Sequence, residues 1–466
     1  MPLYALALFV VLMGYDSLGL EGGAPEVWAW GVSIGLKVLV GLAWWRVCRG
    51  VCLRWSRPGL QGALKRMFKF ADVYGGLAVV LFAGDLWMGL LSGLRGWLGD
   101  LVLVDELLVL LPTLALLAWR WVPYYAVDGW LREAALGRRL MEGKPVYPTP
   151  TLERYVVDQV RHQLGPVLLP VLLILGWLEV LNLMRVESVE GMALVGGGVV
   201  VIMALAAPMI VMMWRTQRVP EGELREDLVS LCRDQRVRAG SFRLWITEGS
   251  MANAAVLGIV WPFRYLLISD TILDHLRKEE VVGVLAHEVA HVRERHAVWL
   301  GAGTLVIAVV GETVVRLSPW GERLNAIAGM AELGAWEVGM LFGATAAVMV
   351  LWWLGTGYLS RRFERQADAA GAKALSRRLD PDTVVVSGEA SAVMAAALDQ
   401  VAALNGMSTT RFMWRHGSIR ERQVHLRSLA GQPMDGLAID RTVNWLRVAI
   451  VVVGVGLGVV WWGMGV

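Results

Sequence analysis

The chain has 466 residues, 56% of them hydrophobic and 18% charged, and its mean hydropathy is +0.52. A water-soluble protein of this length cannot readily hide so much apolar surface in a core, so the composition argues for a polytopic α-helical membrane protein lodged in a lipid bilayer. The net charge of only +3 gives no global support to a nucleic-acid partner.

Apolar runs near the ~20 residues that cross a bilayer lie at about 2–20, 27–47, 71–93, 101–122, 164–184, 192–214, 297–316, 335–357 and 446–465, which predicts about nine spans. The first run has no basic residues before it and is interrupted by Asp16, so it reads as a short span or a re-entrant segment, with no cleavable signal peptide. Of the 23 tryptophans, Trp28, Trp30, Trp44, Trp45, Trp352 and Trp353 sit toward span ends, as in an interfacial aromatic belt. Ordinary packing explains any single one of them almost as well.

The loop after the second span carries Arg46, Arg49, Arg54, Arg57, Lys65, Arg66 and Lys69, whereas the first loop holds Asp16, Glu21 and Glu26. The positive-inside bias therefore predicts that the basic loop is cytoplasmic. Counting spans onward places 123–163, 215–296 and 359–443 on that side. The expected organisation is a transmembrane region over 1–214, a first part of a soluble domain over 215–296, two spans within 297–358, its second part over 359–443 and a last span within 444–466. Cys48, Cys52 and Cys232 suggest neither disulfides nor a cysteine metal site.

Within 215–296, Glu223 to Asp234 has amphipathic helical spacing, and strands are expected at Phe242–Thr247, Ala254–Ile259 and Arg264–Ile268. His287-Glu288-Val289-Ala290-His291 follows in a helix-compatible stretch. One helical turn places both imidazoles on the same face with a carboxylate beside them, the ligand pair and general base of a zinc hydrolase. Such a site needs a third protein ligand. Glu364 is the best candidate, and Asp368, four residues on, would direct its carboxylate the same way to hydrogen-bond a ligating imidazole. Alone, that acidic pair would read as a solvated helix face. Asn253-Ala254-Ala255 is a candidate sheet edge on which an extended peptide could pair, although a hairpin that merely packs on the helix is as good a reading.

Together these features resemble the membrane-integrated zinc metalloproteases that include the HtpX-type quality-control proteases and the CAAX prenyl endopeptidases. The resemblance covers about Arg218 to Leu429, and the span layout looks more like the prenyl endopeptidase branch. It rests on Ile246-Thr247-Glu248-Gly249-Ser250 leading to Asn253-Ala254, on Ile268 to Leu273, on Glu279-Glu280 before the His287 motif, and on two spans before Glu364-Arg365-Gln366-Ala367-Asp368. His416-Gly417-Ser418 with Arg422 looks like the family's His-Pro-Ser and downstream Arg, with Gly417 in place of the proline and hence a less rigid loop. The resemblance implies a mainly α membrane protein with a small α+β zinc-metallopeptidase domain, a polypeptide substrate, and a His416 that stabilises the oxyanion beside an Arg422 that organises the site.

The expected mechanism has zinc (Zn2+) on His287, His291 and Glu364, with Glu288 and His416 as catalytic groups. His275, His296 and His425 are left as structural or surface residues. Two other classes compete. Asp72, Asp85, Asp105, Glu106, Glu179 and Glu312 fall within apolar runs, as in transporters, but no paired or repeated hydrophobic halves with broken helices support transport, and the acids fit a water-filled chamber beside the site instead. A zinc-binding scaffold or chaperone would have no use for Glu288. The substrate, whether prenylated, misfolded or regulatory, is not readable from the residues.

Overall fold

In a computed structural model the described residues are all except 1, 18–26, 55–58, 100, 142, 144, 187–188, 320, 322, 324–334 and 464–466. Glu21, Glu26 and Arg57, used above for orientation, lie outside them. The chain forms two compact units, Met1–Trp214 and Arg215–Val466.

The first unit is helical: α1 (Pro2–Ser17), α2 (Val27–Cys52), α3 (Leu60–Trp87), α4 (Leu90–Leu98), α5 (Val104–Trp119), α6 (Trp121–Met141), α7 (Leu152–Gln159), a π-helical turn at Val160–Leu164, α8 (Gly165–Leu183) and α9 (Val189–Met213). Its core is built from one face of each packed helix, including Leu8, Trp44, Tyr74, Phe82 and Leu117. Most of the suspected intramembrane acids are partnered. Lys37 Nζ reaches Asp85 Oδ2 at 2.5 Å, Arg95 meets Asp105 and Glu106 at 2.7 Å each, and Glu179 accepts the Leu103 amide at 2.7 Å.

The second unit opens with β1 (Thr216–Arg218), α10 (Glu223–Asp234), β2 (Ser241–Trp245), β3 (Ala254–Leu257), β4 (Tyr265–Ser269) and α11 (Asp270–His275). The sheet order is β1-β2-β4-β3, with β2 and β4 parallel and both outer pairs antiparallel. The three expected strands are present within a few residues, and β1 is an addition. Thr247 leaves its strand because its amide and hydroxyl bond the Asp270 carboxylate, which also takes the Glu248 and Thr271 amides.

Helices α12 (Lys278–Arg293), α13 (His296–Leu317), α14 (Ala335–Leu379), α15 (Gly388–Leu404), α16 (Ile419–Ser428) and α17 (Ala438–Gly463) complete the unit. Leu231, Leu266, Ile268, Leu285 and Val289 bury the sheet and α10 against α12. On its other side α12 crosses α14 through small residues. A Cβ on Gly371 would stand 2.7 Å from Met394 Cε and 3.3 Å from the Gly283 carbonyl, and Ala290, Ala367 and Ala370 form their own buried cluster. This close approach brings the motif helix within side-chain reach of Glu364 and Asp368.

Seven helical stretches among the described residues are long and apolar enough to cross a membrane: Val27–Cys52, Gly62–Trp87, Val104–Ala134, Leu152–Leu183, Ala193–Met213, His296–Leu317 and Ala438–Gly463. Of the nine expected spans, the first is shorter, Tyr4–Tyr15, and 335–357 is the first half of the 45-residue α14. The expected boundary at 358/359 thus falls inside one continuous helix. In the same way α6 and α7 carry helix through much of 123–163, which the sequence reads as a loop between spans. Hydropathy detects where apolar residues end, but a helix continues as long as its backbone hydrogen bonds are supported by packing.

Candidate metal centre

His287 and His291 project from one face of α12, and Glu364 meets them from α14. The two Nε2 atoms are 3.2 Å apart, and each lies 3.7 Å from an oxygen of Glu364. A tetrahedral ion with bonds of about 2.1 Å separates its ligand atoms by about 3.4 Å, so these three donors are already spaced for one. His287 and Glu364 are buried, and His291 is partly so.

The far side of each candidate ligand is held as well. His287 Nδ1 stands 3.0 Å from Asp368 Oδ1, and Asp368 receives a two-pronged contact from Arg422, Nε to Oδ2 at 2.8 Å and Nη2 to Oδ1 at 2.7 Å. Arg422 also reaches Glu364 Oε2 at 3.2 Å with Nη1, while His416 Nδ1 lies 3.0 Å from Glu364 Oε1. One guanidinium thus braces both acids that α14 contributes. Burial by itself would raise the acids, but for Glu364 the His416 hydrogen bond and Arg422, and for Asp368 the Arg422 guanidinium, hold each well below the usual carboxylate range. Burial likewise works to lower Arg422, and Asp368 reverses it.

The two imidazoles differ. Burial, aided by His287, pushes His291 well below its ordinary value, so it is neutral and ready to ligate. Burial also lowers His287, but Asp368 more than offsets it and the net direction is up. Glu288, next to the ligands on α12, is raised to about 7 by burial, which suits a carboxyl that takes and returns protons near neutrality.

His296, which by its sequence position alone reads as a structural or surface residue, is brought to the site by the fold. Its Nδ1 is 2.9 Å from His291 Nδ1 and its Nε2 is 2.9 Å from Gln366 Oε1; Gln366 Nε2 donates to Asp440 Oδ1 at 2.9 Å, and Lys373 Nζ to Asp440 Oδ2 at 2.7 Å. Were His291 to ligate through Nε2, its proton would sit on Nδ1, and His291 would then donate to His296 and His296 to Gln366, which donates to Asp440. The only sequence signal was the fifth residue after His291, a spacing that means nothing until α12 ends at Arg293 and the chain turns into α13. By contrast, His275 caps its own turn on the Thr271 carbonyl, as expected of a structural residue.

Gly417 has φ +74°, a conformation closed to proline, and it exchanges backbone hydrogen bonds with Met413 at 2.7 and 3.2 Å. Arg361 Nη1 bonds the Trp414 carbonyl at 2.8 Å and Trp414 Nε1 bonds that of Trp353 at 2.7 Å. The His416 loop, expected to be less rigid without its proline, is pinned by these contacts.

The candidate edge is β3, which packs against α12 and has no strand on its outer side among the described residues. Asn253 spends its carbonyl on the Ser269 amide and its amide on Ser269 Oγ. By the alternation of an antiparallel ladder, Ala255 also faces β4, and the main chain of Ala254 and Val256 points outward. Of the three expected residues, Ala254 is therefore the one with free peptide groups.

Residues 220–429 match the family model of peptidase family M48. A protease HtpX homolog of Neisseria meningitidis is 35% identical over 128 residues, 26% of this chain and 43% of that one. One from Thermoanaerobacter pseudethanolicus is 27% identical over 28% and 44% of the respective chains, and protease HtpX of Xanthomonas campestris pv. campestris 27% over 34% and 55%. The chain thus spans about half the length of the curated relatives it matches. The crystal structure of S. mikatae Ste24p aligns over 87% of this chain and 100% of that one at 14% identity, with a TM-score of 0.46. Residues 220–429 of this polytopic chain are accordingly similar to peptidase family M48.

Proposed function

We propose that the protein is a membrane-embedded zinc-dependent endopeptidase acting on membrane-associated, misfolded or prenylated polypeptides from the cytoplasmic side. The observation that carries this reading is the convergence of His287, His291 and Glu364 with Glu288 beside them. Two imidazoles and one carboxylate are the donor set of catalytic zinc rather than of a closed structural site, because a fourth position stays free. Zinc held there supplies Lewis-acid polarisation of a peptide carbonyl and a lowered water pKa.

The remaining work falls to the chain. Glu288 accepts the proton of the attacking water and delivers it to the departing amine, a use that fits a carboxyl poised at about 7. His416, half-exposed beside Glu364, donates to the developing oxyanion. Asp368 fixes the ring of His287, and Arg422 fixes Asp368 and Glu364. The outward peptide groups of Ala254 and Val256 pair with the substrate backbone, and the exposed Asn253 side chain flanks it. The cytoplasmic side is supported by the basic loop between the second and third spans.

The test compares purified wild type with Glu288→Gln at equal zinc content on an unfolded reporter and on a prenylated peptide. Cleavage lost in the variant with zinc retained supports the hydrolytic mechanism, and the preferred reporter identifies the substrate class. A zinc-loaded wild type that cleaves neither, or a variant that cleaves as well as wild type, overturns the reading.

A further inference from the structure

Away from the metal centre, the second unit contains a cleft of about 930 Å³ between the loop after α10, the β3–β4 hairpin, the junction of α12 with α13 and the last turn of α14. Six arginines line it: Arg236, Arg238, Arg264, Arg293, Arg295 and Arg377. Asp234 is its single acidic lining residue. Glu294, the other acid at the α12–α13 junction, is already engaged by Arg293 and Arg447 at 3.1 Å each. Among the described residues no carboxylate pairs with Arg236, Arg238, Arg295 or Arg377. Arg264 turns its terminal nitrogens to the carbonyls of Arg238 and Ile259 and keeps a buried Nε without an acceptor.

Concentrating six arginines in a concave site with one lining carboxylate is unfavourable for the protein alone, so the arrangement calls for an anion. Guanidinium groups match phosphate oxygens two at a time, which makes a phosphate-bearing group the fitting chemistry. The surroundings decide its source. Val298, on the cleft wall, is the third residue of the membrane-length helix His296–Leu317 and is 49% exposed. At the hairpin tip Ile259, Val260 and Trp261 are 48%, 52% and 55% exposed. Basic residues interleaved with exposed aliphatics and a tryptophan, at the point where a helix enters lipid, match the chemistry of a membrane interface.

We propose that this cleft binds the phosphate headgroup of an anionic membrane lipid, anchoring the C-terminal end of the motif helix at the bilayer surface. The lipid phosphate sits among the arginines, and the acyl chains run past Val298 and the hairpin tip.

The full-length protein, purified in uncharged detergent, is titrated with phosphatidylglycerol, with phosphatidylcholine and with glycerol phosphate, and bound molecules are counted by native mass spectrometry. The variants are Arg238→Gln/Arg377→Gln and the charge-keeping Arg238→Lys/Arg377→Lys, with thermal unfolding as the check that each is folded. Wild type is expected to prefer phosphatidylglycerol, the glutamine variant to bind it about tenfold or more weakly, and the lysine variant to fall between them, keeping the charge and losing the two-pronged fit. Equal retention by wild type and a folded glutamine variant overturns the site. Glycerol phosphate binding as tightly as the lipid assigns the cleft to a soluble anion and overturns the lipid. If the glutamine variant does not fold, the lysine variant and the phosphatidylglycerol-to-phosphatidylcholine ratio of wild type decide in its place.

Discussion

In the first unit each buried charge closes on a partner from a neighbouring helix, as Lys37 on α2 does with Asp85 on α3, whereas in the second unit buried charges converge from three helices on one point between His287, His291 and Glu364. Both arrangements escape the penalty of an isolated buried ion. They differ in what is left over. The Lys37–Asp85 pair with Ser33 satisfies itself, while the second cluster keeps three lone-pair donors aimed at a common centre after Asp368, Arg422 and His296 have taken the other sides. The first is what a fold needs to hold charge in an apolar bundle. The second is a candidate site, and the spare donors distinguish it.

The largest effect is expected from Glu288→Gln, which should lower kcat/KM for peptide cleavage about 10²–10⁴-fold with zinc content unchanged. Single truncations come next. Lys37→Met and Arg422→Met should each destabilise by about 3–5 kcal/mol, because each strands a buried carboxylate. The double variants then separate the two regions: Lys37→Met/Asp85→Leu should regain most of the lost unfolding temperature, whereas Arg422→Met/Asp368→Leu should stay zinc-poor, since Glu364 and His287 have lost their braces. Equal recovery of zinc in the second pair would mean that its charges are only structural.

A smaller change follows at His296. Replacing it with Leu should weaken zinc binding about 10–100-fold in a chelator competition, with Asp440→Asn weaker in effect because it acts two links further out. The smallest concerns pH. Glu288, raised to about 7 by burial, holds its proton more tightly in the folded metal-free protein than when unfolded. The stability this contributes is present below its ordinary value near 4.5 and is lost as pH rises toward 7. Glu364 and Asp368 run the other way, since their contribution is present above the ordinary carboxylate value and is lost only as pH falls well below it. The unfolding temperature of metal-free wild type minus that of Glu288→Gln should therefore fall between pH 5 and 8, and a flat difference would contradict the burial of Glu288.

Much of this was legible in the residues. His287, Glu288 and His291 announce themselves because one helical turn is a local fact, and α10 lies over Glu223–Asp234 because its apolar spacing has nowhere else to go. Glu364 and Asp368 were readable only through the demand for a third ligand, and His416 and Arg422 only through the family resemblance. No property of residue 296, 366 or 440 alone says that they form a chain behind His291. The arginine cleft was equally silent, because its six members are spread from residue 236 to residue 377.

The sequence by itself determined the membrane character, the helical class and the candidate ligand pair, since hydropathy and helical period act over short stretches of chain. The tertiary structure alone decided which acid joins the two imidazoles and which stands behind them, which peptide groups of the 253–255 edge point outward, and where α14 ends. Those depend on the crossing of α12 and α14 at Gly283 and Gly371, a contact between residues far apart in the chain that fixes at once every distance in the site.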